Sequence, residues 1–192
     1  MQNGERSSVK VWDALVRLAH WSLVATVTAA WLTRHSDTVW HAWLGYVALA
    51  IVVIRIVWGF VGTPYARFTN FVRRPTITLQ YTRAVVAHSE PRFVGHNPMG
   101  AWMIVALLAT VTLLGVTGWL GTTDAYWGVA WVGESHEALS NLLLGLIGLH
   151  VAGVVFSSWR HQENLARAMI TGRKQTALGA NRREPDAANQ RN

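Results

Sequence analysis

The 192-residue sequence has no cysteine and few charged residues. Without cysteine there can be no disulfide, no thiolate-bound zinc and no iron–sulfur cluster. Charged residues make up only 14% of the chain, against about 25% in typical soluble domains. We do not expect the first apolar run to be a cleaved signal peptide, because it keeps Arg17 and His20 and no small-residue cleavage site follows it. Hydrophobic residues, in contrast, make up 51% of the chain. Tryptophan, which is enriched at membrane–water boundaries, occurs 11 times.

Four apolar runs are long enough to cross a bilayer as helices, which takes about 20 residues. They are predicted at residues 14–32, 40–62, 98–120 and 136–159. Asn97 and Pro98 are typical of a capped helix start, and Ser135 is a candidate cap for the fourth run. We therefore predict an all-α, integral-membrane four-helix bundle over residues 14–171. A short segment, 1–13, precedes it, and a polar, disordered tail, 172–192, follows it. A soluble bundle is the alternative, but the third and fourth runs lack the polar face it needs.

The basic residues lie on one side of the predicted membrane. Of the 17 lysines and arginines, 14 precede the first run, separate the second from the third, or follow the fourth. By the positive-inside rule, these segments and both termini are predicted to be cytoplasmic. The net charge of +7 then indicates anionic lipid head groups, and not nucleic acid, as its partner.

Four of the eight histidines lie within the predicted spans, where ionisable groups are costly and usually functional: His20, His41, His136 and His150. From the helical rise, His20 and His150 lie roughly 10 and 13 Å from the cytoplasmic side. His41 and His136 both begin their spans at the outer side. His136 and His150 share one helix face and stand about 21 Å apart along its axis. The four histidines therefore form two level pairs.

Two histidines that face each other across a bundle can ligate a six-coordinate haem iron. Zinc or copper usually takes three or four ligands, and neither depth supplies a third. Arg17 and Arg55 lie at the level of His20 and His150, where they could neutralise haem propionates. Small residues on the face of His41 leave room for a macrocycle. Two alternatives stay open: Arg17 could snorkel to the interface, and unliganded histidines could serve a transporter or proton relay.

The remaining histidines lie outside the spans. His96, just before the third run, either caps that helix or contacts a quinone or a propionate. His35, His88 and His161 are predicted to be solvated loop or interface residues.

Three motifs resemble the bacterial cytochrome b561 family, which overlaps the cytochrome b subunits of nickel–iron hydrogenases and formate dehydrogenases. They are LAHW in the first run, HAWLGY with VVIRIVWG in the second, and HEALSNLLLGLIGLH in the fourth. The resemblance covers about residues 10–175. It implies a bacterial inner-membrane cytochrome with two haem b groups and a third helix without a ligand. By position, His20 and His150 would ligate the cytoplasmic-side haem, and His41 and His136 the periplasmic-side haem.

The family usually exchanges electrons with quinone, so the resemblance implies a carrier between the quinone pool and a periplasmic-side redox partner. That partner would be a cytochrome c, or a dehydrogenase or hydrogenase subunit that this chain anchors. A stand-alone superoxide-to-quinone oxidoreductase is an alternative, so whether the chain is itself an enzyme stays open. No catalytic residue is expected, because bis-histidine ligation leaves no open iron position. Self-association also stays open.

Overall fold

The computed structural model describes residues 7–35 and 38–176. Its elements, in chain order, are β1 (Ser7–Lys10), α1 (Ala14–Thr33), α2 (Thr38–Val61), α3 (Phe68–Phe71), α4 (Pro75–Val86), α5 (Pro98–Gly121), α6 (Ala130–Arg160), α7 (Leu165–Thr171) and β2 (Arg173–Thr176). Within the described ranges, α1, α2, α5 and α6 are long and apolar enough to cross a membrane. The predicted helical membrane bundle is confirmed, with one small strand pair beside it. The cytoplasmic orientation of the termini stays a prediction.

The first three long helices begin and end within two residues of their predicted bounds. The fourth differs, because α6 begins at Ala130 and not at His136. Ser135 therefore lies inside the helix, and Val129 occupies the N-cap position without a side-chain hydrogen bond. Hydropathy detects only the apolar part of a helix, whereas backbone hydrogen bonding continues through polar residues such as the exposed Glu134.

Side-chain caps begin two of the long helices at the same end of the bundle. Asp13 accepts a hydrogen bond from the Val16 amide at 2.9 Å and caps α1. Asn97 accepts one from the Gly100 amide at 2.7 Å, and Pro98 follows it at the first helical position, as predicted. Each cap satisfies an amide that has no partner within its own helix.

The helices pack in the order α1, α2, α5, α6, each against the next. A central apolar layer, made of Ala48, Val52, Val111 and Leu143, joins α2, α5 and α6, and Leu23 and Val27 of α1 pack against it. Away from this layer, large apolar side chains remain exposed along all four helices. Such an exterior fits helices surrounded by lipid, where apolar surface faces outward.

The first and last described segments, β1 and β2, meet at one end of the bundle, together with the connection between α2 and α5; we call it the basic end. There β1 pairs antiparallel with β2, with Lys10 opposite Arg173. Gly172, at φ 78°, ends α7, and its carbonyl accepts from the Val11 and Trp12 amides at 2.9 and 3.1 Å. Residues 173–176, predicted as disordered tail, therefore form a strand. The rest of that predicted tail, 177–192, lies outside the described residues.

Ion pairs attach the connection before α5 to α6 and to the chain end. Arg160 pairs with Glu90 at 2.9 Å, and Lys174 pairs with Glu163 at 3.4 Å. Arg92 also contacts Glu163. Lys174 is only 8% exposed, so one cation of this group lies under the surface of the basic end.

Candidate functional site

The structure brings the four membrane histidines together as two pairs. The ring centroids of His20 and His150 are 6.5 Å apart near the basic end, and those of His41 and His136 are 6.0 Å apart near the opposite end. We call these the basic-end pair and the far-end pair. Two imidazoles on opposite sides of one metal, each bound at about 2.0–2.1 Å, have ring centres about 6 Å apart. Both separations fit a metal held between two histidines.

Helix α6 contributes one histidine to each pair. Leu143 of the central apolar layer lies midway between His136 and His150, seven residues from each. Val52, on α2 within the same layer, is fully buried. The two pairs are therefore separated by tightly packed hydrocarbon.

Both rings of the far-end pair are held by hydrogen bonds from Nδ1. His41 donates to the Ala30 carbonyl at 2.9 Å, and His136 lies 3.0 Å from the Thr117 hydroxyl. The Thr117 hydroxyl itself donates to the Leu113 carbonyl at 2.9 Å, so its oxygen accepts from the imidazole. These partners fix the tautomer with Nδ1 protonated and leave Nε2 of each ring free as a ligand.

Two glycines shape the space around the far-end pair. A Cβ on Gly118 of α5 would lie 3.3 Å from Cε1 of His136, so α5 passes close beside that ring. A Cβ on Gly45, one turn from His41, would meet nothing within 4 Å. The space predicted beside His41 is therefore present at Gly45. Further along the same face of α2, Ala48 and Val52 belong to the central apolar layer.

The basic-end pair is surrounded by nitrogen atoms without partners. Among the described residues, four buried side-chain polar atoms have no hydrogen bond, and three are nitrogens of His20, Arg55 and His96. Buried polar groups are nearly always hydrogen-bonded, so each unsatisfied one needs an explanation. Nitrogen donors on this side fit a bound group that carries acceptor oxygens, such as carboxylates.

Arg55 is more buried than Arg17, the other arginine predicted to pair with a haem propionate. Its residue is only 6% exposed. Nη1 has no partner, and Nη2 makes one long hydrogen bond, 3.4 Å, to the Ala66 carbonyl. The guanidinium carbon lies 5.2 Å from the ring centroid of Phe68. This weakly satisfied cation is well suited to pair with a carboxylate in low dielectric.

The carboxylate of Asp13 interacts electrostatically with the guanidinium of Arg55. Its Oδ2 accepts from the Thr63 hydroxyl at 2.6 Å and from the Trp58 indole at 3.0 Å. Burial acts to raise the pKa of Asp13, but these hydrogen bonds, the cap to α1 and the charge of Arg55 outweigh it and lower the pKa below 3.8. The ionised carboxylate thus joins the start of α1 to the end of α2.

Arg17 has different neighbours from those predicted. Its Nη1 donates to the Ile170 carbonyl at 2.5 Å, and its Nε donates to the Asp13 carbonyl at 3.4 Å. These bonds attach α1 to α7 near the chain end. The predicted pairing of Arg17 with a propionate stays a prediction, and Arg55 has the freer guanidinium.

His96 lies between two aromatic rings, with centroid distances of 4.4 Å to Trp12 and 4.7 Å to Phe71. Asn97 caps α5, so the capping interpretation of His96 was wrong. Burial, together with the charges of Arg55, Lys174 and His150, lowers the pKa of His96 to about 3. His96 is therefore neutral, and its buried Nδ1 has no hydrogen-bond partner in the described structure. The sequence around His96 did not determine its role, because Trp12 and Phe71, the rings that flank it, are distant from it in the chain.

Each site offers two histidines. No group of three or more His, Cys, Asp or Glu side chains is placed to hold a metal ion in residues 7–35 and 38–176. Tetrahedral zinc needs such a group. An iron whose other four positions are filled by a porphyrin needs two axial ligands, which is the number that each pair provides.

Comparison with known proteins agrees with this chemistry. The family model described as prokaryotic cytochrome b561 matches residues 11–172, a range that includes both histidine pairs. The chain is 23% identical to a probable Ni/Fe-hydrogenase B-type cytochrome subunit of Rhodobacter capsulatus. That alignment covers 88% of this chain and 82% of the relative.

Proposed function

This chain belongs to the prokaryotic cytochrome b561 family, and from that premise we propose that it carries electrons between a membrane quinone and a redox partner beyond the far-end pair. At the level of the family, it is a membrane b-type cytochrome of electron transfer, and its cofactor is haem b. The finer proposal is that two haems are bound, one at each pair. The two histidine pairs, at 6.5 and 6.0 Å, are the observation that carries it.

In this proposal His20 and His150 are the axial ligands at the basic end, and His41 and His136 those at the far end. When bound, haem supplies a one-electron redox centre. The chain supplies the ligands, orients them and excludes water. Because both axial positions are taken, oxygen activation is not expected. The packed layer around Val52 keeps the space between the pairs dry.

Arg55 and His96 are proposed to donate to the carboxylates of the group bound at the basic end. Both have a buried nitrogen without a partner. A guanidinium held in low dielectric stabilises a nearby carboxylate strongly and raises the affinity for an electron. The negative charge gained on reduction would thus be offset mainly by the guanidinium of Arg55 at the basic end.

The proposed location is a bacterial inner membrane, with the basic end cytoplasmic and its arginines near anionic lipid. The partner at the far end is proposed to be a hydrogenase, because the relative in R. capsulatus is described as a hydrogenase cytochrome subunit. Trp127, in the connection before α6, and Trp131, in the first turn of α6, are 75% and 52% exposed and offer aromatic surface for such a contact. A dehydrogenase or a cytochrome c would use the same end.

The proposal is tested on the purified protein in lipid nanodiscs. We expect two haem b per chain by haem extraction, a reduced-minus-oxidised spectrum of b type, and anaerobic reduction of the haem by an added quinol. A chain that binds no haem would overturn the proposal entirely. Haem that dithionite reduces but quinol does not would overturn its quinone part. Co-purification in mild detergent then identifies the far-end partner.

A further inference from the structure

Helix α4 packs one of its faces against the start of α5 at the basic end. Tyr81, which is 6% exposed, lies on this face, and its ring centroid is 5.6 Å from that of Phe93. Its hydroxyl also interacts with the side chain of Asn97, which caps α5. This face therefore joins α4 to the connection that leads into α5.

The opposite face of α4 is exposed and carries two large apolar side chains. Leu79 and Val86 are 53% and 76% exposed. They are seven residues apart, so they lie on the same face, turned by about 140–160° from Tyr81. Thr76 and Gln80 are exposed about 90° further round the helix. The exposed surface of α4 is thus apolar on one side and polar on the other, a pattern typical of helices that lie in a membrane surface.

A tryptophan of α5 indicates the depth at which α4 begins. The Trp102 indole donates a hydrogen bond to the Arg73 carbonyl at 3.2 Å. Trp102 is 39% exposed and lies about 6 Å along the helix axis from Pro98, the first residue of α5. Exposed tryptophans near the end of a membrane helix are typical of the boundary between acyl chains and head groups. The start of α4 therefore lies at this boundary.

Three arginines beside this exposed face have no partner in the protein. The side chains of Arg73, Arg74 and Arg83 are exposed. Among the described residues, none of the three makes a hydrogen bond or an ion pair through its side chain. Arg83 lies one turn from Leu79, the other two directly precede α4, and α4 contains no acidic residue. Guanidinium groups in this position are complementary to phosphate groups above the acyl chains.

We propose that α4 lies in the membrane surface and binds anionic phospholipid. In this arrangement Leu79 and Val86 enter the acyl-chain boundary, and the three arginines bind lipid phosphate. A phospholipid matches both properties of the exposed face, because its acyl chains contact the apolar side chains while its phosphate pairs with the guanidinium groups. The general excess of basic residues at this end would attract anionic lipid all around the bundle, whereas this face binds it at α4.

Lipid bound to α4 would also stabilise the basic-end site, a consequence that rests on the proposed function. Tyr81 contacts Phe93 and Asn97, and His96 lies between those two residues in the chain. We assigned His96 to the group bound at the basic end. Because α4 joins the lipid surface to the connection that carries His96, we expect the basic-end haem to be released more slowly in an anionic membrane than in a neutral one.

The first test measures the depth of the exposed face in nanodiscs of phosphatidylcholine and phosphatidylglycerol. Because the chain has no cysteine, Leu79→Cys and its matched control Gln80→Cys each provide a single attachment site for a fluorophore. We expect brominated acyl chains to quench the label at position 79 more strongly than at position 80, and aqueous iodide to quench the two labels in the reverse order. Iodide quenching as strong at position 79 as at position 80 would overturn the proposal, because the apolar side chains would then lie in water.

The second test measures which lipid lies beside position 79. Quenching by brominated phosphatidylglycerol is compared with quenching by brominated phosphatidylcholine. One arginine beside an anionic surface contributes roughly fivefold to affinity, so Arg83→Gln should lower the preference for phosphatidylglycerol by about that factor. Arg34→Gln, which removes an exposed charge at the far end, should leave the preference unchanged. An unchanged preference in Arg83→Gln combined with Arg73→Gln and Arg74→Gln would overturn the phosphate contacts.

Haem release distinguishes this proposal from the proposed function. Release from the basic-end site to an acceptor protein should be faster in phosphatidylcholine alone than in the mixed nanodiscs, and faster in the triple arginine variant than in the wild type, with release from the far-end site unchanged. Equal release from the basic-end site in all of these samples would overturn its link to α4. A chain that binds no haem would overturn the proposed function, whereas the quenching tests would still decide whether α4 binds anionic lipid.

Discussion

The two histidine pairs have almost the same separation but opposite surroundings. At the far end, Nδ1 of His41 and of His136 each has a hydrogen-bond partner on a neighbouring helix. At the basic end, Nδ1 of His20 is buried without one. The far-end rings are therefore oriented by the protein alone, whereas the basic-end site has unsatisfied donors until a group with acceptors binds.

The two histidine pairs also differ in the charged groups that lie near them. Arg55 and Lys174 lie buried near the basic end, and the charge of Arg55 helps to lower the pKa of Asp13. The far-end rings contact a backbone carbonyl and a hydroxyl. We infer that orientation of ligands governs haem affinity at the far end, and that buried charge governs the potential at the basic end.

Removal of one axial ligand should have the largest effect. His136→Ala should lose the far-end haem alone, and His150→Ala the basic-end haem alone, so that haem per chain falls by roughly half in each. Haem extraction and reduced spectra measure this, with His161→Ala, outside both pairs, as the control. Full haem content in either variant would show that its pair is not a ligand set.

Thr117→Val tests the orientation of the far-end pair. The variant keeps the shape of the side chain but removes the acceptor of His136, and loss of such a partner typically weakens metal binding by about 10–100-fold. Haem release to an acceptor protein should be faster from the far-end site only. Thr110→Val is the matched control, because Thr110 is equally buried on α5 and its hydroxyl bonds only the Ala106 carbonyl. Equal release from the two variants would contradict the orienting role.

Arg55→Gln tests the role of charge at the basic end. Loss of a buried positive charge favours the oxidised haem, so the basic-end midpoint potential should fall by about 60 mV, a tenfold change in a one-electron equilibrium. Spectroelectrochemical titration would resolve the two proposed haems. Arg17→Gln should shift the potentials less than Arg55→Gln, because the guanidinium of Arg17 bonds the carbonyls of Ile170 and Asp13. A larger shift in Arg17→Gln than in Arg55→Gln would reverse the assignment.

Asp13→Asn should have the smallest effect, and the effect should depend on pH. The pKa of Asp13 is below 3.8 in the folded protein, so its stabilising contribution is complete above that value and is lost as the pH falls through the lowered pKa. Asparagine keeps the helix cap but cannot ionise. On acidification from pH 7 to 3, the wild type should lose a few degrees more of melting temperature than the variant. Parallel losses would show that Asp13 has no such role.

The helices and the levels of the histidines could be predicted from the sequence because both depend on local properties. Hydropathy marks the apolar part of each helix, and the rise per residue converts position into depth. The same reasoning missed the first turns of α6, because Glu134 interrupts the apolar run and Ser135 resembled a helix cap. Asn97 was predicted correctly as a cap because its signal lies within four residues.

Contacts between distant parts of the chain could not be predicted. The sequence offered a haem propionate or the membrane interface for Arg17, but it gave no sign of the hydrogen bond of Arg17 to Ile170, 153 residues away. The strand pairing of β1 with β2 and the position of His96 between Trp12 and Phe71 also join segments far apart in sequence.

The central apolar layer has a consequence for energy conversion. Its members, among them Val52 and Leu143, are all apolar. In the proposed function, an electron that passes between the two pairs would travel about 21 Å of a hydrocarbon core of about 30 Å. Moving one charge across the whole core at a membrane potential of about 100 mV involves about 2.3 kcal/mol. A transfer over about 21 Å of it therefore costs or releases about 1.6 kcal/mol, depending on its direction. Its rate in intact cells should therefore respond to the membrane voltage.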